Sequence, residues 1–448
     1  MSDNSKNFSR RQFMGTAAKA TAAAAAMPLM GSGLTLGAPK KKRIVLVGTG
    51  VRGTGCWGRD LIRDYSDYME FVGLCDANPL RLAFAKKFLG VSCPTYEAKD
   101  FDKMIRETKP EMVIVTTMDS THYIYICRAM ELGCDVITEK PMATDEVQAQ
   151  KILDTEKRTG RRVIVTFNYR YGPDAVLIKE ILNSGEIGEV VSVDYNYFLD
   201  TDHGASYFRR WHGQRTCSGT LLVHKSTHHF DEMNWWLGSE PEEVFGYGRL
   251  VKYGSNGPFR GRRCSKCPHA DKCQFHWDIT KNEHMMNLYV RCEEADGYIR
   301  DNCLYRHAID IYDTMAVQAR YANGVHMTYS LNAFMPYEGF RVCFNGLKGR
   351  LDARVYHQTP WDIPYLAEVR VSKIFGGTEV KTIKSGGGGH WGADNQMKDM
   401  IFKENIPDEL GQSAGSRAGA MSILIGISAR TSIEMKEQIK VHDLVNFG

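Results

Sequence analysis

The sequence carries almost no excess of positive over negative charge. The formal net charge is +4 over 448 residues, and residues 1–38 carry +3 of it, from four basic side chains and one acidic side chain. The rest of the chain therefore carries +1, with no basic run beyond residues 40–43. A near-neutral surface gives no electrostatic reason to bind nucleic acid or an anionic membrane. We expect neither as a partner.

Long apolar runs are also missing after the first forty residues, where no uninterrupted stretch reaches the roughly 18 residues that a membrane helix needs. We therefore expect no membrane span in the mature protein. Arg10 and Arg11 precede Phe13 and an uncharged, Ala-rich stretch at 20–38, which resembles a twin-arginine export signal. A disordered tail with two adjacent arginines is the alternative. We predict a signal peptide or linker over residues 1–40 and a periplasmic or other exported location.

The composition excludes a disordered chain and a small stapled scaffold. Hydrophobic residues make up 43% and charged residues 25% of the chain, which is average for soluble globular proteins. At roughly 100 to 200 residues per domain, this length predicts two to three domains.

The first motif is a Gly-rich turn. Residues 42–47 form a short apolar strand pattern that leads directly into GxGxxG at 48–53 and then into a helical stretch. In this context the first Gly permits a tight turn, the second lets a pyrophosphate approach the backbone, and the third allows close helix packing. The N–H groups at the start of the helix favour phosphate oxygens. The predicted cofactor-binding residues here are Gly48, Gly50, Val51, Arg52 and Gly53.

An acidic residue follows at the spacing that this motif requires. The apolar strand pattern at 71–76 ends in Asp76, 23 residues after Gly53. A carboxylate there binds a ribose 2′-hydroxyl and repels a 2′-phosphate. We therefore predict that Asp76 binds the cofactor and that the cofactor is NAD.

Helical and strand patterns then alternate. Helical patterns occur at 79–89, 99–108, 121–132 and 144–159, and strand patterns at 112–116, 134–138 and 162–167. This alternation predicts an α/β protein with a doubly wound parallel sheet. We place the NAD-binding Rossmann domain over residues 41–167.

Two loops carry a resemblance to a known family. Residues 113–122 and 136–141, the latter containing Glu-Lys-Pro at a strand end, resemble the loops after the fourth and fifth strands of the Gfo/Idh/MocA oxidoreductases. The resemblance extends over essentially all of residues 42–445, with Met118 standing where relatives usually have Pro. It implies a C-terminal α+β domain with a large open, mostly antiparallel sheet that covers the nicotinamide. We place this domain over residues 168–448.

Lys140 of the Glu-Lys-Pro sequence is the first predicted catalytic residue. Beside a cationic nicotinamide in a desolvated cleft, its pKa should fall towards the working range, so that it can exchange a proton with a substrate hydroxyl. Without the family resemblance, an ordinary surface lysine would be expected. Further cofactor-binding residues that the resemblance implies are Thr117, His122, Glu139 and Asn168. For Glu139, a role as the partner of Lys140 is the alternative.

A second segment supplies the other predicted catalytic groups. Residues 218–231 resemble the family segment in which an Asp and a His, four residues apart on one helix, line the substrate site. His228 falls on the family's catalytic His, and His224 falls on its Asp. Because residues four apart share a helix face, both imidazoles should reach one substrate. Lys225 is predicted to bind substrate, with a surface role as the alternative, and His229 is expected in the core.

The substrate prediction is a carbohydrate. The segment at 167–171 resembles the part of the family that lines the cleft, and its aromatic and amide groups suit a sugar. The predicted substrate-binding residues are Tyr169, Arg170, Trp211 and Lys225. We therefore predict an exported NAD-dependent oxidoreductase that transfers hydride at a hydroxyl or keto group of a sugar or glycoside.

Two other functions fit the sequence. One is an NAD-using glycosidase that resembles those of this family, in which transient oxidation to a 3-keto intermediate is followed by elimination and re-reduction. A cofactor that is never released would suit an exported protein. The other is a non-catalytic sugar-binding protein, which the replacement of Asp by His224 suggests. In each case we expect a small-molecule carbohydrate partner and a homo-oligomer.

Cysteine is concentrated in one insertion. Twelve are present, and residues 264–276 hold three of them with two histidines, a density typical of a zinc site. We predict a structural zinc ion bound by Cys264, Cys267, Cys273 and His276, with His269, Cys292 or Cys303 as the alternative fourth ligand. A disulfide is the alternative in an oxidising compartment. We interpret residues 241–310 as an insertion that caps the cleft and residues 415–435 as a closing core helix.

Overall fold

The computed structural model describes residues 40–384 and 389–448. The predicted export signal lies outside the described residues, apart from Lys40 at its end. None of the helices in the described ranges combines the length and the apolar character that crossing a bilayer requires.

The first sheet is parallel and has six strands in the order β3-β2-β1-β4-β5-β6. The strands are β1 Lys42–Val47, β2 Met69–Asp76, β3 Thr95–Glu97, β4 Met112–Val115, β5 Asp135–Thr138 and β6 Val163–Val165. Its helices are Asp60–Tyr65, Pro79–Leu89, Phe101–Thr108, His122–Glu131 and Glu146–Thr159, and a π-helical turn at Gly53–Arg59 precedes the first. All four residues of β4 are buried, as expected for a strand covered on both faces. The predicted Rossmann sheet is confirmed.

The order of the strands reverses between β1 and β4, because β1 pairs with both β2 and β4. In open parallel sheets, ligands bind outside the carboxyl ends of the strands at such a switch point. The loops that follow β1, β4 and β5 contain the Gly-rich turn, Asp119 and Lys140, so these three segments meet at one edge.

The second sheet has nine strands in the order β14-β13-β12-β11-β7-β10-β9-β8-β15. The strands are β7 Val190–Asp200, β8 Pro241–Arg249, β9 Thr314–Tyr321, β10 His326–Met335, β11 Glu338–Gly346, β12 Gly349–Gln358, β13 Ala367–Lys373, β14 Thr378–Ile383 and β15 Ile439–Lys440. β7 and β10 are parallel neighbours and the other pairs are antiparallel, which confirms the predicted mostly antiparallel sheet.

Helices cover one face of this sheet. In β9, buried residues alternate with more exposed ones, because successive side chains of a strand point to opposite faces. The long helix Ser416–Met435 packs against β8 and against helix Ser226–Leu237. The other helices after the Rossmann sheet are Pro173–Asn183, Thr201–Arg209, Arg215–Ser218, Leu221–His224, Glu283–Leu288, Glu293–Asp296 and Ala393–Phe402.

The Cys-rich insertion reaches the Rossmann domain. β8 takes up its first nine residues, and the chain is then irregular up to β9 apart from short helical turns. Tyr289 accepts a hydrogen bond from the backbone N–H of Val51 at 3.1 Å, and the side chain of Asn78 donates to the carbonyl of Cys292 at 2.9 Å. The insertion therefore lies over the Gly-rich turn.

Candidate active site

The Gly-rich turn has the geometry that a dinucleotide phosphate requires. Gly48 adopts a φ of +91°, and a Cβ atom there would lie 2.7 Å from the backbone of Thr116. A Cβ atom on Gly53 would lie 2.1 Å from the carbonyl oxygen of Gly48. At Gly50 the nearest atom to such a Cβ would be the Tyr289 hydroxyl at 3.4 Å. Gly48 and Gly53 thus close the turn, and the missing side chain of Gly50 lets another group, here the Tyr289 hydroxyl, approach the backbone.

Asp76 lies at the end of β2, beside this turn. One carboxylate oxygen accepts hydrogen bonds from the backbone and the hydroxyl of Thr49, at 2.6 and 2.8 Å. The other lies 3.3 Å from a guanidinium nitrogen of Arg81, which also pairs with Asp296 of the insertion at 2.9 Å. Arg81 was not predicted as a site residue. The helix after β2 brings its guanidinium back to Asp76. Its charge is neutralised by two carboxylates, so it is not available for a 2′-phosphate.

We expect the purified protein to contain NAD(H) rather than NADP(H). Mass spectrometry of the nucleotide released by denaturation measures this directly. In the variant Asp76→Ala the carboxylate that repels a 2′-phosphate is gone and Arg81 keeps only Asp296 as a partner, so the preference should shift towards NADP. Release of mainly NADP from the wild-type protein would contradict the prediction.

Three predicted cofactor-binding residues form one network. Glu139 accepts hydrogen bonds from Arg52 at 2.5 Å and from the indole of Trp57 at 2.7 Å. Arg52 also pairs with Asp394 at 3.2 Å, and Asp394 accepts a hydrogen bond from Asn168 at 2.8 Å. Burial opposes ionisation of Glu139, but Arg52, Lys140 and the indole of Trp57 together outweigh it and hold the pKa of Glu139 below its ordinary value. Trp57 and Asp394 were not predicted, since both are distant in sequence from Glu139.

His122 and Thr117 connect two loops. The ring nitrogens of His122 lie 2.9 Å from the carbonyl oxygen of Pro141 and 3.1 Å from that of Thr117. Burial lowers the pKa of His122. The two ring nitrogens thus face two backbone carbonyls, of which a neutral imidazole can donate to one, and His122 lies between the loops after β4 and β5.

Lys140 faces a buried carboxylate–imidazole pair. Its ammonium donates to the backbone carbonyl of His224 at 3.3 Å, and Nδ1 of His224 lies 2.5 Å from a carboxylate oxygen of Asp119. Burial lowers the pKa of Lys140 to about 8, against the opposing influence of Asp119 and Glu139. A lysine with such a pKa can lose and regain a proton near neutral pH.

Asp119 places a carboxylate beside His224, the residue that stands where the family resemblance implies an Asp. It lies 105 residues before His224, in the loop after β4. Burial raises the pKa of Asp119, and burial together with the charge of Lys140 lowers the pKa of His224. Burial thus disfavours a full ion pair, and the two side chains hold a single proton between them.

Aromatic rings enclose this pair. The ring centroids of His212 and His224 are 4.2 Å apart, and Trp211 stacks on His212 at 3.5 Å. Tyr207 contacts His224 edge-on at 5.1 Å. Trp211, a predicted substrate-binding residue, therefore lies close to the pair.

The predicted single helix carrying His224 and His228 is interrupted. Helix Leu221–His224 ends before Lys225, and the next helix is Ser226–Leu237. The N–H of His228 bonds to the carbonyl of Lys225, three residues back, rather than continuing the α-helical pattern. As a result the two imidazoles have different partners, and His228 stacks on Tyr169 with ring centroids 4.1 Å apart. His229 is buried, as expected.

Lys225 belongs to a buried polar group beside His228. Its ammonium donates to the Tyr169 hydroxyl at 3.0 Å and lies 3.6 Å from Glu338. His203 lies 2.8 Å from the same carboxylate. Burial opposes the charges, but the pairing outweighs it, which raises the pKa of Lys225 and lowers that of Glu338. The sequence carries no local signal for Glu338 or His203.

Arg170 has a structural role instead of the predicted substrate contact. Its guanidinium forms two hydrogen bonds with Asp231, at 2.7 and 2.6 Å, and a third with the carbonyl of Gly411. Only 7% of the Arg170 side chain and 1% of the Asp231 side chain are exposed. The predicted substrate contact of Arg170 is wrong, because the fold places Asp231 of the buried helix Ser226–Leu237 against its guanidinium.

We expect Arg170→Met to lower the free energy of unfolding by about 3–5 kcal/mol, because it leaves the buried Asp231 without a partner. Urea unfolding followed by circular dichroism measures the change. Arg417→Met is the matched control, since Arg417 forms a similar pair with Glu240 at the surface, where such pairs contribute about 0–1 kcal/mol. Equal losses in the two variants would contradict the structural role.

The structure does not support the predicted zinc site. Cys264, Cys267, Cys273 and His276 line one small pocket with Cys303, but among the described residues no three of their ligand atoms come within 4.8 Å of one another. His276 instead bonds the carbonyl of Cys264 at 3.2 Å. All twelve cysteines are free thiols, so the alternative disulfide is not formed either.

In the described part of the chain, one group of side chains does converge closely enough to hold a metal ion. An oxygen of Asp119 and one ring nitrogen each of His212 and His224 lie within 4.8 Å of one another, and all three residues are buried.

Two family models match the chain. Residues 42–167 match the model of the Gfo/Idh/MocA oxidoreductase family, NAD-binding Rossmann fold. Residues 179–418 match the model of the C-terminal α/β domain of the same family.

Full-length and partial relatives agree with these models. A Bacillus subtilis protein provisionally named oxidoreductase YteT is 37% identical over an alignment of 431 positions that covers 90% of this chain and 98% of that protein. Inositol 2-dehydrogenase/D-chiro-inositol 3-dehydrogenase of Lactiplantibacillus plantarum is 29% identical over 43% of this chain and 52% of its own length.

Solved structures share the fold at low identity. Aldose-aldose oxidoreductase of Caulobacter crescentus, complexed with glycerol, superposes with a TM-score of 0.60 at 14% identity, over 90% of this chain and 100% of its own. The WlbA dehydrogenase of Bordetella pertussis, in complex with NADH and UDP-GlcNAcA, gives 0.61 at 18% identity, over 90% and 99%.

Proposed function

This chain belongs to the Gfo/Idh/MocA oxidoreductase family, and on that premise we propose that it transfers hydride between NAD and a hydroxyl or keto carbon of a sugar or glycoside. The family assignment gives an NAD-binding oxidoreductase. The carbohydrate substrate and the roles of individual residues are the parts that we propose.

The observation that carries the proposal is the placement of Lys140 beside Asp119 and His224. These groups come from the loops after β5 and β4 and from the second domain, so the site is completed where the two domains meet. NAD, when bound, supplies the hydride acceptor or donor. Lys140 exchanges the proton of the substrate hydroxyl, because its pKa of about 8 allows both protonation states near neutral pH.

The neighbouring side chains extend this assignment. The Asp119–His224 pair provides a second group that can take or return a proton. His228, which stacks on Tyr169, is the third proposed catalytic residue. Tyr169, Lys225 and Trp211 are the proposed substrate contacts.

A row of aromatic rings supports a sugar as the substrate. His228 stacks on Tyr169, Tyr169 meets His357 edge-on at 6.0 Å, and His357 stacks on Trp391 at 4.4 Å. Lys225 donates to the hydroxyl of Tyr169 and pairs with Glu338, so charged groups lie beside this row. Apolar ring faces combined with a few fixed polar groups are typical of sites that bind small polar molecules with C–H faces.

The test is an absorbance assay for reduced nicotinamide with the NAD-loaded protein and a panel of neutral and acidic sugars and aryl glycosides. We expect at least one carbohydrate to reduce the cofactor. The proposal would be refuted if no carbohydrate of the panel reduced NAD and none of the corresponding keto sugars oxidised NADH.

A second candidate function is favoured by the insertion. Tyr289 bonds the backbone of Val51, and Cys292 accepts a hydrogen bond from Asn78, so the insertion covers the Gly-rich turn and would hinder release of a cofactor. A retained cofactor suits an NAD-using glycosidase that oxidises, eliminates and re-reduces its substrate. Release of nitrophenol from a nitrophenyl glycoside without added NAD would distinguish this function from net oxidation.

We also propose that the protein is exported through a twin-arginine signal, which rests on Arg10, Arg11 and the Ala-rich stretch that follows. Cell fractionation of the full chain and of a variant with both arginines changed to lysine tests this proposal. Equal distribution of the two proteins would refute it.

A further inference from the structure

Three arginines cluster where the insertion meets the second domain. Arg209 is the last residue of helix Thr201–Arg209, and Arg210 follows it directly. Arg300 comes from the insertion. Arg209 and Arg300 both lie over the ring of Trp277, at 5.8 and 5.3 Å. Among the ion pairs formed by residues 40–384 and 389–448, none involves these three arginines.

Arg300 is a buried cation without a counter-charge. Only 8% of the residue is exposed, and its Nη1 has no hydrogen-bond partner in the described structure. Its other terminal nitrogen lies 3.5 Å from the hydroxyl of Ser206, a long contact. Burial, together with the positive charge of Arg210, lowers the pKa of Arg300 to about 10, so the side chain is still charged at neutral pH.

Such an arrangement is unfavourable in the protein alone. A guanidinium has five N–H donors and needs acceptors for them when it is removed from water. The buried Arg170 has a carboxylate partner in Asp231, and the partly buried Arg263 of the same insertion pairs with Glu293 and Asp301, at 2.7 and 2.6 Å. The missing partner of Arg300 is therefore expected to be an anion that is not part of the chain.

The cluster borders the proposed active site. Arg210 lies over the ring of Tyr207 at 4.9 Å, and the same ring contacts His224 at 5.1 Å and His212 at 5.3 Å. Arg210 and Arg300 both approach Ser206, through its carbonyl and its hydroxyl. Tyr207 thus contacts both Arg210 and His224 of the catalytic pair.

We propose that Arg210 and Arg300 bind the acidic group of the substrate, and hence that the substrate is an acidic carbohydrate such as a uronic acid or its glycoside. This inference rests on the proposed carbohydrate oxidoreductase function. Guanidinium groups suit carboxylate, sulfate and phosphate oxygens because they can form paired hydrogen bonds with them. A ligand bound through the acid group at Arg210 would extend past Tyr207 towards His224 and Lys140.

A second source of negative charge is the pyrophosphate of the cofactor. Arg300 also lies 5.8 Å from the ring of Tyr289, whose hydroxyl bonds Val51 of the Gly-rich turn. The position of Arg210 on Tyr207, next to the catalytic pair, favours the substrate. Measuring sugar binding and NAD binding in the same variant separates the substrate from the cofactor as the source of the anion.

The binding experiment uses the NAD-loaded protein and four probes: D-glucuronate, D-galacturonate, D-glucose and D-galactose. Calorimetric titration should show that at least one acidic sugar binds about tenfold or more tightly than its neutral counterpart, as expected for hydrogen bonds to a charged group. Arg300→Met should remove this difference and leave the affinity for NAD unchanged. Equal affinities for acidic and neutral sugars in the wild-type protein, or no binding of either acidic sugar, would overturn the proposal.

A loss of NAD affinity in Arg300→Met with the sugar preference retained would also overturn it, and would assign the arginines to the cofactor. Binding does not require turnover. Acidic sugars that bind selectively without reducing NAD would therefore leave the anion site in place and refute only the proposed function.

A stability measurement adds a test that needs no ligand. Arg300→Met removes an uncompensated buried charge, so the sugar-free variant should melt at a higher temperature than the wild-type protein. Arg263→Met in the same insertion is the matched control and should melt at a lower temperature, because it leaves Asp301 and Glu293 unpaired. Similar decreases in both variants would show that Arg300 is an ordinary structural residue and would contradict the inference.

Discussion

Replacing Lys140 with alanine should lower kcat by about 100-fold or more, the usual contribution of a positioned proton-transfer group. The ammonium lies 3.3 Å from the carbonyl of His224, and its lowered pKa suits a group that exchanges a proton with a substrate hydroxyl. The cofactor contacts of the Gly-rich turn do not involve Lys140, so the variant should still contain NAD. Turnover and released nucleotide, measured on the same preparation, test both statements.

Lys140→Arg is the matched control for charge. Arginine keeps the positive charge but does not release its proton at accessible pH. If Lys140 acts in proton transfer, the arginine variant should be about as inactive as the alanine variant. An arginine variant with near wild-type turnover would show that the positive charge alone is needed and would contradict the proposed role.

The second large effect is expected at Asp119. Asp119→Asn removes the carboxylate that shares a proton with His224, and His224→Gln removes the imidazole. Each variant should lose about 100-fold or more in kcat, because the pair acts in proton exchange only when both members are present. Circular dichroism and NAD content should be unchanged.

A double-mutant cycle distinguishes a working pair from two separate residues. Groups that act as a unit give strongly non-additive effects, so the double variant should be about as slow as either single variant. Additive losses, or retention of activity in Asp119→Asn, would show that the 2.5 Å contact with His224 is structural only.

The Rossmann fold could be predicted because its signals are local. β1 and the helix Pro79–Leu89 have the bounds that their patterns predicted, and the predicted closing helix at 415–435 is Ser416–Met435. β3 was missed, since three residues at the sheet edge, none of them fully buried, leave no hydrophobic pattern. The break at Lys225 was also missed, because the segment at 218–231 has no proline at that point to mark it.

The site was predictable only in part, for a related reason. Lys140 and His224 could be found from short segments, whereas Asp119 becomes relevant only when the loop after β4 meets the second domain. Arg300 could not be identified as a binding residue from the sequence alone, because its lack of a carboxylate partner is a property of the folded chain. Arg170 was misassigned for the opposite reason: the sequence does not show that Asp231 lies against it.

The cysteine cluster illustrates the limit of residue density as a signal. Residues 264–276 contain enough ligands for zinc, but metal binding depends on where the donor atoms point. The fold turns His276 to the carbonyl of Cys264. The group that does converge, Asp119 with His212 and His224, comes from three separate segments and has no sequence motif.

The most direct test of the central claim is isotope transfer within the NAD-loaded protein. The absorbance assay first identifies a uronic acid or sugar glycoside as a substrate. This substrate is then prepared with deuterium at each ring carbon in turn, and the mass of the nucleotide released after one turnover is measured by mass spectrometry. The account predicts that deuterium from one specific carbon appears on the nicotinamide in the wild-type protein and is not transferred in Lys140→Arg. A nicotinamide without deuterium for every labelled position, or equal transfer in the variant, would contradict it.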